Sequence, residues 1–264
     1  MMRKLFLPLR LLYCFYAFCT FFLCMLLVVP LVIGGSFFGK IKGGNFIYRI
    51  CCYWGDVWFF LIGIRHRNRR EAEHGKSEQY IYVANHISYL DAPLIVKTIR
   101  KPLRVLGKVE MAKIPVFGYI YRNAIVTVDR SSAENRSKSV RVLKSVLNKG
   151  ISILIFPEGT FNTTHQPLKS FYDGAFRIAI ETQTPIKPVL FLDGYARMPY
   201  EHWSLLNPGR SRSVILDTVS VEGMTLRDLE SLKNRVFSLM EERLIHYKAS
   251  WIVPGIQAES TMAG

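Results

Sequence analysis

Three short polar groupings interrupt apolar runs in this chain, and each carries side chains able to do chemistry. They are Asn85-His86 with Asp91, Asp129-Arg130, and Pro157-Glu158-Gly159-Thr160. His86 closes the apolar run Tyr80 to Ala84, and Asp91 follows it five positions later. On a continuous helix five residues turn through roughly 500°, which points the two side chains well apart. They meet only if the chain turns between them. Ser88 and Asp91 are both good N-caps, and Pro93 suits the first turn of a helix carrying Leu94, Ile95 and Ile99. The spacing therefore predicts strand, tight turn, helix, with His86 on the turn and Asp91 near the helix entry. A His oriented by a carboxylate is a general base in need of a hydroxyl or thiol to deprotonate. The competing reading is a His and an Asp that only satisfy the backbone of the turn.

The flanking segments say which elements hold these groups. Leu103 to Lys108 reads as a short strand, and Ala124 to Val128 as a β-branched strand ending in Asp129-Arg130. Met111 to Tyr121 is a mixed apolar segment broken by Pro115 and Gly118. Ser131 or Ser132 is expected to cap an amphipathic helix through Lys149, with Val140, Leu143 and Leu147 inward and Gly150 at its C′ position. Ile151 to Phe156 is continuous and apolar, as in a strand buried on both faces. A helix from Asp173 or Gly174 to about Gln183, a strand Ile186 to Leu192, a loop-like stretch 194 to 211 and a strand Ser213 to Val221 follow. Thr225-x-x-Asp228 resembles a capping box opening a last helix to about Tyr247. Alternating strands and helices predict an α/β fold, a mostly parallel central sheet flanked by helices. In such sheets sites form beyond the carboxyl ends of strands, and all three polar groupings stand there.

Composition narrows the partners. Half of the 264 residues are hydrophobic and 13% aromatic, yet the formal charge is +15. An apolar and basic protein suggests an anionic partner, either nucleic acid or a membrane surface. No zinc-finger spacing or aromatic-interleaved basic groove favours nucleic acid. Leu11 to Phe38 is nearly free of charge and long enough to cross a bilayer of about 30 Å. It exceeds a typical signal-peptide core and no small-x-small site closes it. A second apolar run, Phe46 to Ile64, contains Arg49 and Asp56, seven apart and so on one helical face, where they could pair or contact head groups. Lys40 and Lys42 in the connecting loop would be misplaced in a spanning hairpin by the positive-inside rule. A membrane-embedded helical hairpin dipping into one leaflet keeps every charge near cytoplasmic head groups. Residues 1–64 are thus expected to anchor, Arg65 to Lys76 to connect, 65–253 to form the functional domain, and 254–264 to be a tail. All five cysteines, Cys14, Cys19, Cys24, Cys51 and Cys52, precede that domain, which suits a reducing setting. His165 and His202 lack partners at metal-ligand spacing and read as loop residues, so no metal is expected.

The motif Asn85-His86-x-x-x-x-Asp91 followed by Phe156-Pro157-Glu158-Gly159-Thr160 resembles the glycerolipid (1-acyl-glycerol-3-phosphate) acyltransferases. Gly107-Lys108-x-Glu110 with Ile114-Pro115-x-x-Gly118, Val126-Thr127-Val128-Asp129-Arg130, and Pro185-x-x-Pro188-Val189 resemble further blocks of that family in order. The resemblance runs from the apolar N-terminal segments through Val189. It implies direct acyl transfer: His86, held by Asp91, takes the proton from a lyso-lipid hydroxyl. That hydroxyl attacks an acyl thioester on coenzyme A or acyl carrier protein, the co-substrate, with no cofactor and no acyl-enzyme. The product would be phosphatidic acid, for phospholipid biosynthesis at the cytoplasmic face of a membrane. Independently, no Cys follows Cys52 and no Gly-x-Ser-x-Gly elbow is present. Ser88 reads as a cap rather than a nucleophile, and with Asn85 belongs to the substrate-binding candidates. Arg130 suits an acceptor phosphate or carboxylate. Lys108 is either a second cation or a solvated strand end. Glu158 is expected to receive acceptor hydroxyls or to brace the site, with Gly159 and Thr160 N–H groups as anion or oxyanion donors.

Two positions depart from the family pattern. Phe161 stands where an Arg usually follows the Thr, and Phe171-Tyr172-Asp173-Gly174-Ala175 lacks the Lys that often precedes the Gly-Ala. Lys169 and Arg177 lie close enough in sequence to substitute. An acceptor with a carboxylate or zwitterion, such as a lyso-amino-acid lipid, is therefore an alternative to the phosphate. A non-catalytic lipid-binding protein and a thioester hydrolase are the readings from other classes.

Overall fold

The computed structural model describes residues 7–71, 79–113, 117–128 and 133–252. Two helices come first, α1 (Leu7–Ser36) and α2 (Gly44–Leu61), joined through a π-helical turn at Gly39–Gly43. Their backbones pass so close at this end that a side chain at Gly43 would collide with the Gly35 carbonyl oxygen. Aromatic residues hold the rest of the hairpin. Phe21 sets its edge against Trp54 and Trp58, each at 5.1 Å, and the Trp58 indole donates to the Ala17 carbonyl at 3.0 Å.

The chain then enters a seven-stranded sheet ordered β1-β7-β6-β2-β5-β3-β4. The strands are β1 (Ile64–Arg70), β2 (Ile81–Ala84), β3 (Leu103–Lys108), β4 (Ile125–Val128), β5 (Ser152–Ile155), β6 (Ile186–Phe191) and β7 (Gly209–Ile215). Every neighbouring pair is parallel except β6 with β7, so the sheet is mostly parallel, as expected. The helices α3 (Asp91–Thr98), α4 (Phe117–Ala124), α5 (Ala133–Leu147), α6 (Gly174–Thr182), α7 (Gly194–Arg197) and α8 (Leu229–His246) connect and cover it.

Side-chain alternation along β2 and β5 divides the core in two. Ile81, Val83, Ile153 and Ile155 face a layer built from Leu143 and Leu147 of α5, Phe176 and Ala179 of α6, and Val236 and Met240 of α8. Tyr82, Ala84 and Leu154 face the opposite layer, with Leu94 and Ile95 of α3 and Trp58 and Phe59 of α2. The N-terminal hairpin is therefore part of the layer that covers one face of the sheet. Its outer side remains apolar: Leu27, Phe37 and Phe60 are 69%, 84% and 84% exposed. Among the described residues α1 is the one helix long and apolar enough to cross a membrane.

Three details differ from the sequence reading. The stretch after Ile64 is the edge strand β1, paired residue for residue with Gly209–Ile215, and not a connector. An edge strand needs no apolar alternation, and exposed Arg65, Arg67 and Arg69 blunt that edge. Its partner β7 begins at Gly209, inside the stretch expected to be loop. Asp56 does not pair with Arg49; it takes Lys97 at 2.6 Å and Arg100 at 2.7 Å, riveting α2 to α3. Other local expectations hold. Gly150 ends its helix with φ +73°, and Thr225 and Asp228 exchange the two hydrogen bonds of a capping box. The segments 72–78 and 253–264 lie outside the described residues.

Candidate active site

Strands β2 and β5 are neighbours at the centre of the sheet, so the turns that leave their carboxyl ends lie side by side. The turn after β2 carries His86. Its Nδ1 lies 2.8 Å from Asp91 Oδ2, and the same oxygen accepts the backbone N–H groups of Ile87 at 2.7 Å and Ser88 at 2.9 Å. Three donors thus converge on one oxygen of a fully buried carboxylate. The other oxygen, Oδ1, faces Gly194, where a Cβ would sit 3.1 Å away. The turn is what the five-residue spacing demanded: Asp91 opens α3 and folds its carboxylate back over the loop it follows. A carboxylate only accepts, so Nδ1 carries the proton and Nε2 presents its lone pair. The His86 side chain is 25% exposed, so the ring is open to the surface. The pair satisfies turn backbone and orients an imidazole at once.

The turn after β5 braces the first. Glu158 is 1% exposed; its Oε1 accepts the N–H of His86 at 2.9 Å and its Oε2 that of Lys169 at 2.8 Å. Burial pushes its carboxyl up to about 7, against the pull of those two N–H groups. Asn162, which sequence reasoning did not single out, donates its backbone N–H to the His86 carbonyl at 2.8 Å. Its side chain ties the loop together through Gln166 O and Thr164. The Asn162-Thr163-Thr164 run is an Asx-turn signal that could have flagged it.

Aromatic rings enclose the imidazole. Phe156 stacks on it at 4.1 Å and Phe161 stands edge-on at 4.4 Å. Phe161 also meets Tyr89 at 4.9 Å and Tyr200 at 6.4 Å. The residue that departs from the family pattern is therefore a wall of this site. Tyr200 belongs to the loop between α7 and β7, which Ser88 and α1 hold. Ser88 Oγ donates to Met198 O at 2.6 Å, and Arg10 donates to Leu205 O at 3.0 Å.

The structure redistributes the substrate-binding candidates. Asn85 is buried and spends both ends of its amide on the backbone of Phe191, extending the β2–β6 ladder instead of facing a ligand. Ser88 is fully buried and both donates to Met198 O and accepts from Leu90 N–H, so it is neither exposed nor free to attack. Glu158 braces; its oxygens are committed to backbone. The Gly159 N–H donates to Phe156 O at 3.1 Å within the turn, and is spent as an oxyanion donor. Gly159 itself has φ +74°, which the sharp exit from β5 requires. Thr160 is exposed, and its hydroxyl accepts from Lys169 Nζ at 3.0 Å. Lys108 ends β3, with its backbone paired to Val128. Asp129 and Arg130 follow β4 and lie outside the described residues. Among the described residues no cluster of His, Cys, Asp and Glu could hold a metal.

Comparison with known proteins points to acyltransferases. A family model described as "Acyltransferase" matches residues 63–192, from the start of β1 past the end of β6. The chain is 26% identical over 191 residues to an uncharacterized acyltransferase of Schizosaccharomyces pombe, covering 70% of this chain and 67% of that relative. It is 28% identical over 200 residues to a 1-acyl-sn-glycerol-3-phosphate acyltransferase of Haemophilus influenzae, covering 74% and 80%. Its fold matches the crystal structure of the 1-acyl-sn-glycerophosphate acyltransferase of Thermotoga maritima with a TM-score of 0.72. That match has 24% identity and covers 94% of this chain and 99% of the other.

Proposed function

The chain belongs to the glycerolipid acyltransferase family and is an acyltransferase; from that premise we propose that it acylates 1-acylglycerol-3-phosphate to phosphatidic acid at a membrane surface. The observation that carries the reading is the His86–Asp91 pair, anchored at 2.8 Å with Nε2 directed outward. In the proposed step Nε2 takes the proton of the acceptor's free hydroxyl as its oxygen attacks the thioester carbonyl. The tetrahedral intermediate collapses with cleavage of the carbon–sulfur bond. The imidazolium, stabilised by Asp91, returns the proton to the departing thiolate of coenzyme A or acyl carrier protein. Phe156 and Phe161 keep the imidazole between apolar walls, which limits hydrolysis of the thioester by water.

The exposed apolar side of α1 and α2 supports a bilayer contact, because a contiguous patch of this kind on a protein surface marks an interaction face. Exposed Lys40 and Lys42 in the hairpin turn, and exposed Arg65, Arg67 and Arg69 on β1, support contact with anionic head groups. Free thiols at all five cysteines suit the cytoplasmic leaflet.

One observation favours a second reading. Phe161 puts a ring, not a cation, against His86, which suits an acceptor other than a phosphomonoester, such as a lyso-amino-acid lipid. The test offers purified protein in mixed micelles a panel of lyso-lipids with labelled acyl-coenzyme A or acyl carrier protein. Label in phosphatidic acid, abolished by His86→Ala with micelle binding intact, is expected. Label only in another lipid selects the second reading, and persistent turnover in His86→Ala refutes the general-base role.

A further inference from the structure

The proposed acceptor carries a phosphate, yet the position after Thr160 holds Phe161, whose ring leans on His86. We infer that Lys169 supplies the missing cation and, with the Thr160 hydroxyl, binds the phosphate of the acceptor; this rests on the function proposed above. The loop from Phe156 to Tyr172 folds back on itself, and Tyr172 N–H donates to Pro157 O at 2.9 Å to close it. That closure returns Lys169 to the turn where the loop began. Glu158 marks how near it comes. One carboxylate accepts the N–H of His86 on one oxygen and the N–H of Lys169 on the other, so the two backbones are one carboxylate apart.

The Lys169 side chain then runs to the lip of the site. Nζ donates to Thr160 Oγ1 at 3.0 Å, and Thr160 is exposed while Glu158 beneath it is buried. The ammonium thus stands at residue 160 and the imidazole against the ring of residue 161, its neighbour in the chain. The bond the ammonium makes is to a neutral hydroxyl, not to a carboxylate. An ammonium has three N–H donors, and among the described residues one is used. A hydroxyl that accepts from Lys169 keeps its own O–H to donate. Lys169 and Thr160 therefore offer a phosphate two to three hydrogen bonds, those from the ammonium strengthened by its charge. Arg177, the other cation near in sequence, is exposed on α6, and among the described residues no hydrogen bond joins its side chain to the turn that carries Thr160.

The test uses the full chain in mixed micelles with 1-acylglycerol-3-phosphate and an acyl thioester, comparing wild type, Lys169→Met and Lys169→Arg. Loss of a charged hydrogen-bond pair should raise the acceptor KM by roughly 10- to 100-fold in Lys169→Met. The thioester KM and kcat should stay within about threefold, and Lys169→Arg should recover most of the acceptor affinity. A Lys169 that only braces the loop gives a different pattern. Lys169→Met would then lower kcat, both affinities and the melting temperature together, with no rescue by Arg. Either that pattern or an unchanged acceptor KM overturns the assignment while leaving the proposed function standing. A wild type that makes no phosphatidic acid overturns both.

Discussion

Replacing Asp91 by Asn separates the two tasks of its carboxylate. In Asp91→Asn the amide oxygen can take the place of Oδ2 and accept from His86 Nδ1, Ile87 N and Ser88 N, which lie 2.7 to 2.9 Å from that position. The NH2 then occupies the space of Oδ1 beside Gly194. The opposite rotamer turns NH2 against two buried backbone N–H groups, at about 1–3 kcal/mol for each donor left unpaired. The first rotamer wins, so the His86 tautomer and the turn survive. What is lost, on the proposed mechanism, is the negative charge that would stabilise an imidazolium in the transition state. A hydrogen bond to a charged group contributes about 1.5–3 kcal/mol. At about 1.4 kcal/mol per decade, kcat should fall roughly 10- to 150-fold with little change in either KM. Asp91→Ala instead strands the same two backbone donors, costing about 2–6 kcal/mol, a large share of the roughly 5–15 kcal/mol that holds a domain together. The assay is steady-state acyl transfer beside thermal denaturation in the same micelles. An Asn variant with more than half of wild-type kcat would refute the charge argument. An Ala variant that melts with wild type would refute the structural one.

Two further outcomes follow from buried groups. Ser88→Ala should keep kcat within about threefold, because Ser88 faces Met198 O and Leu90 N–H rather than substrate. Its melting temperature should drop by several degrees or more, because the buried Met198 O and Leu90 N–H are left unpaired at about 1–3 kcal/mol each; loss of all turnover with an intact melt would restore it as a nucleophile. Glu158 is pushed up to about 7 in the folded chain, above the value of 4.5 of a free carboxyl. The folded state therefore holds that proton more tightly than the unfolded one, and Glu158's contribution is full below pH 4.5 and lost as pH rises through 7. Relative to Glu158→Gln, wild-type stability should decline between those limits by on the order of 3 kcal/mol. Parallel pH–stability curves for the two proteins would contradict the buried, proton-binding carboxyl. The Gln variant should also be less stable at pH 5, since its NH2 opposes either His86 N–H or Lys169 N–H.

The strands with continuous apolar runs were legible in advance because a strand buried on both faces advertises itself, as Ile81–Ala84 and Ser152–Ile155 do. Strand β1 was not, since Ile64–Arg70 is held by backbone pairing to β7 and its side chains carry no apolar period. The same difficulty hid the start of β7, whose Gly209-Arg210-Ser211-Arg212 reads as loop until β1 is beside it. The hairpin helices were legible from length and composition. That α2 would pack on α3 through Asp56, Lys97 and Arg100 was not, because nothing in one helix names its partner.

What the sequence determined by itself is the local chemistry of one turn. Five residues from His86 to Asp91 require a turn between strand and helix; Asp91 serves that turn from the first helical position, while Leu90 stands at the N-cap without a side-chain bond and Pro93 lies inside the helix. Only the tertiary structure decided which of the other polar residues are spent inside the fold and which stay open beside His86. Asn85 and Ser88 stand beside His86 in sequence yet turn inward to Phe191 and Met198, more than a hundred residues away. Phe161 and Lys169 arrive from a loop after another strand, the first against the His86 ring and the second on the Glu158 carboxylate that also holds the His86 N–H. The physical reason is the parallel pairing of β2 with β5, a long-range contact that no local pattern encodes and that alone brings the two turns to one edge.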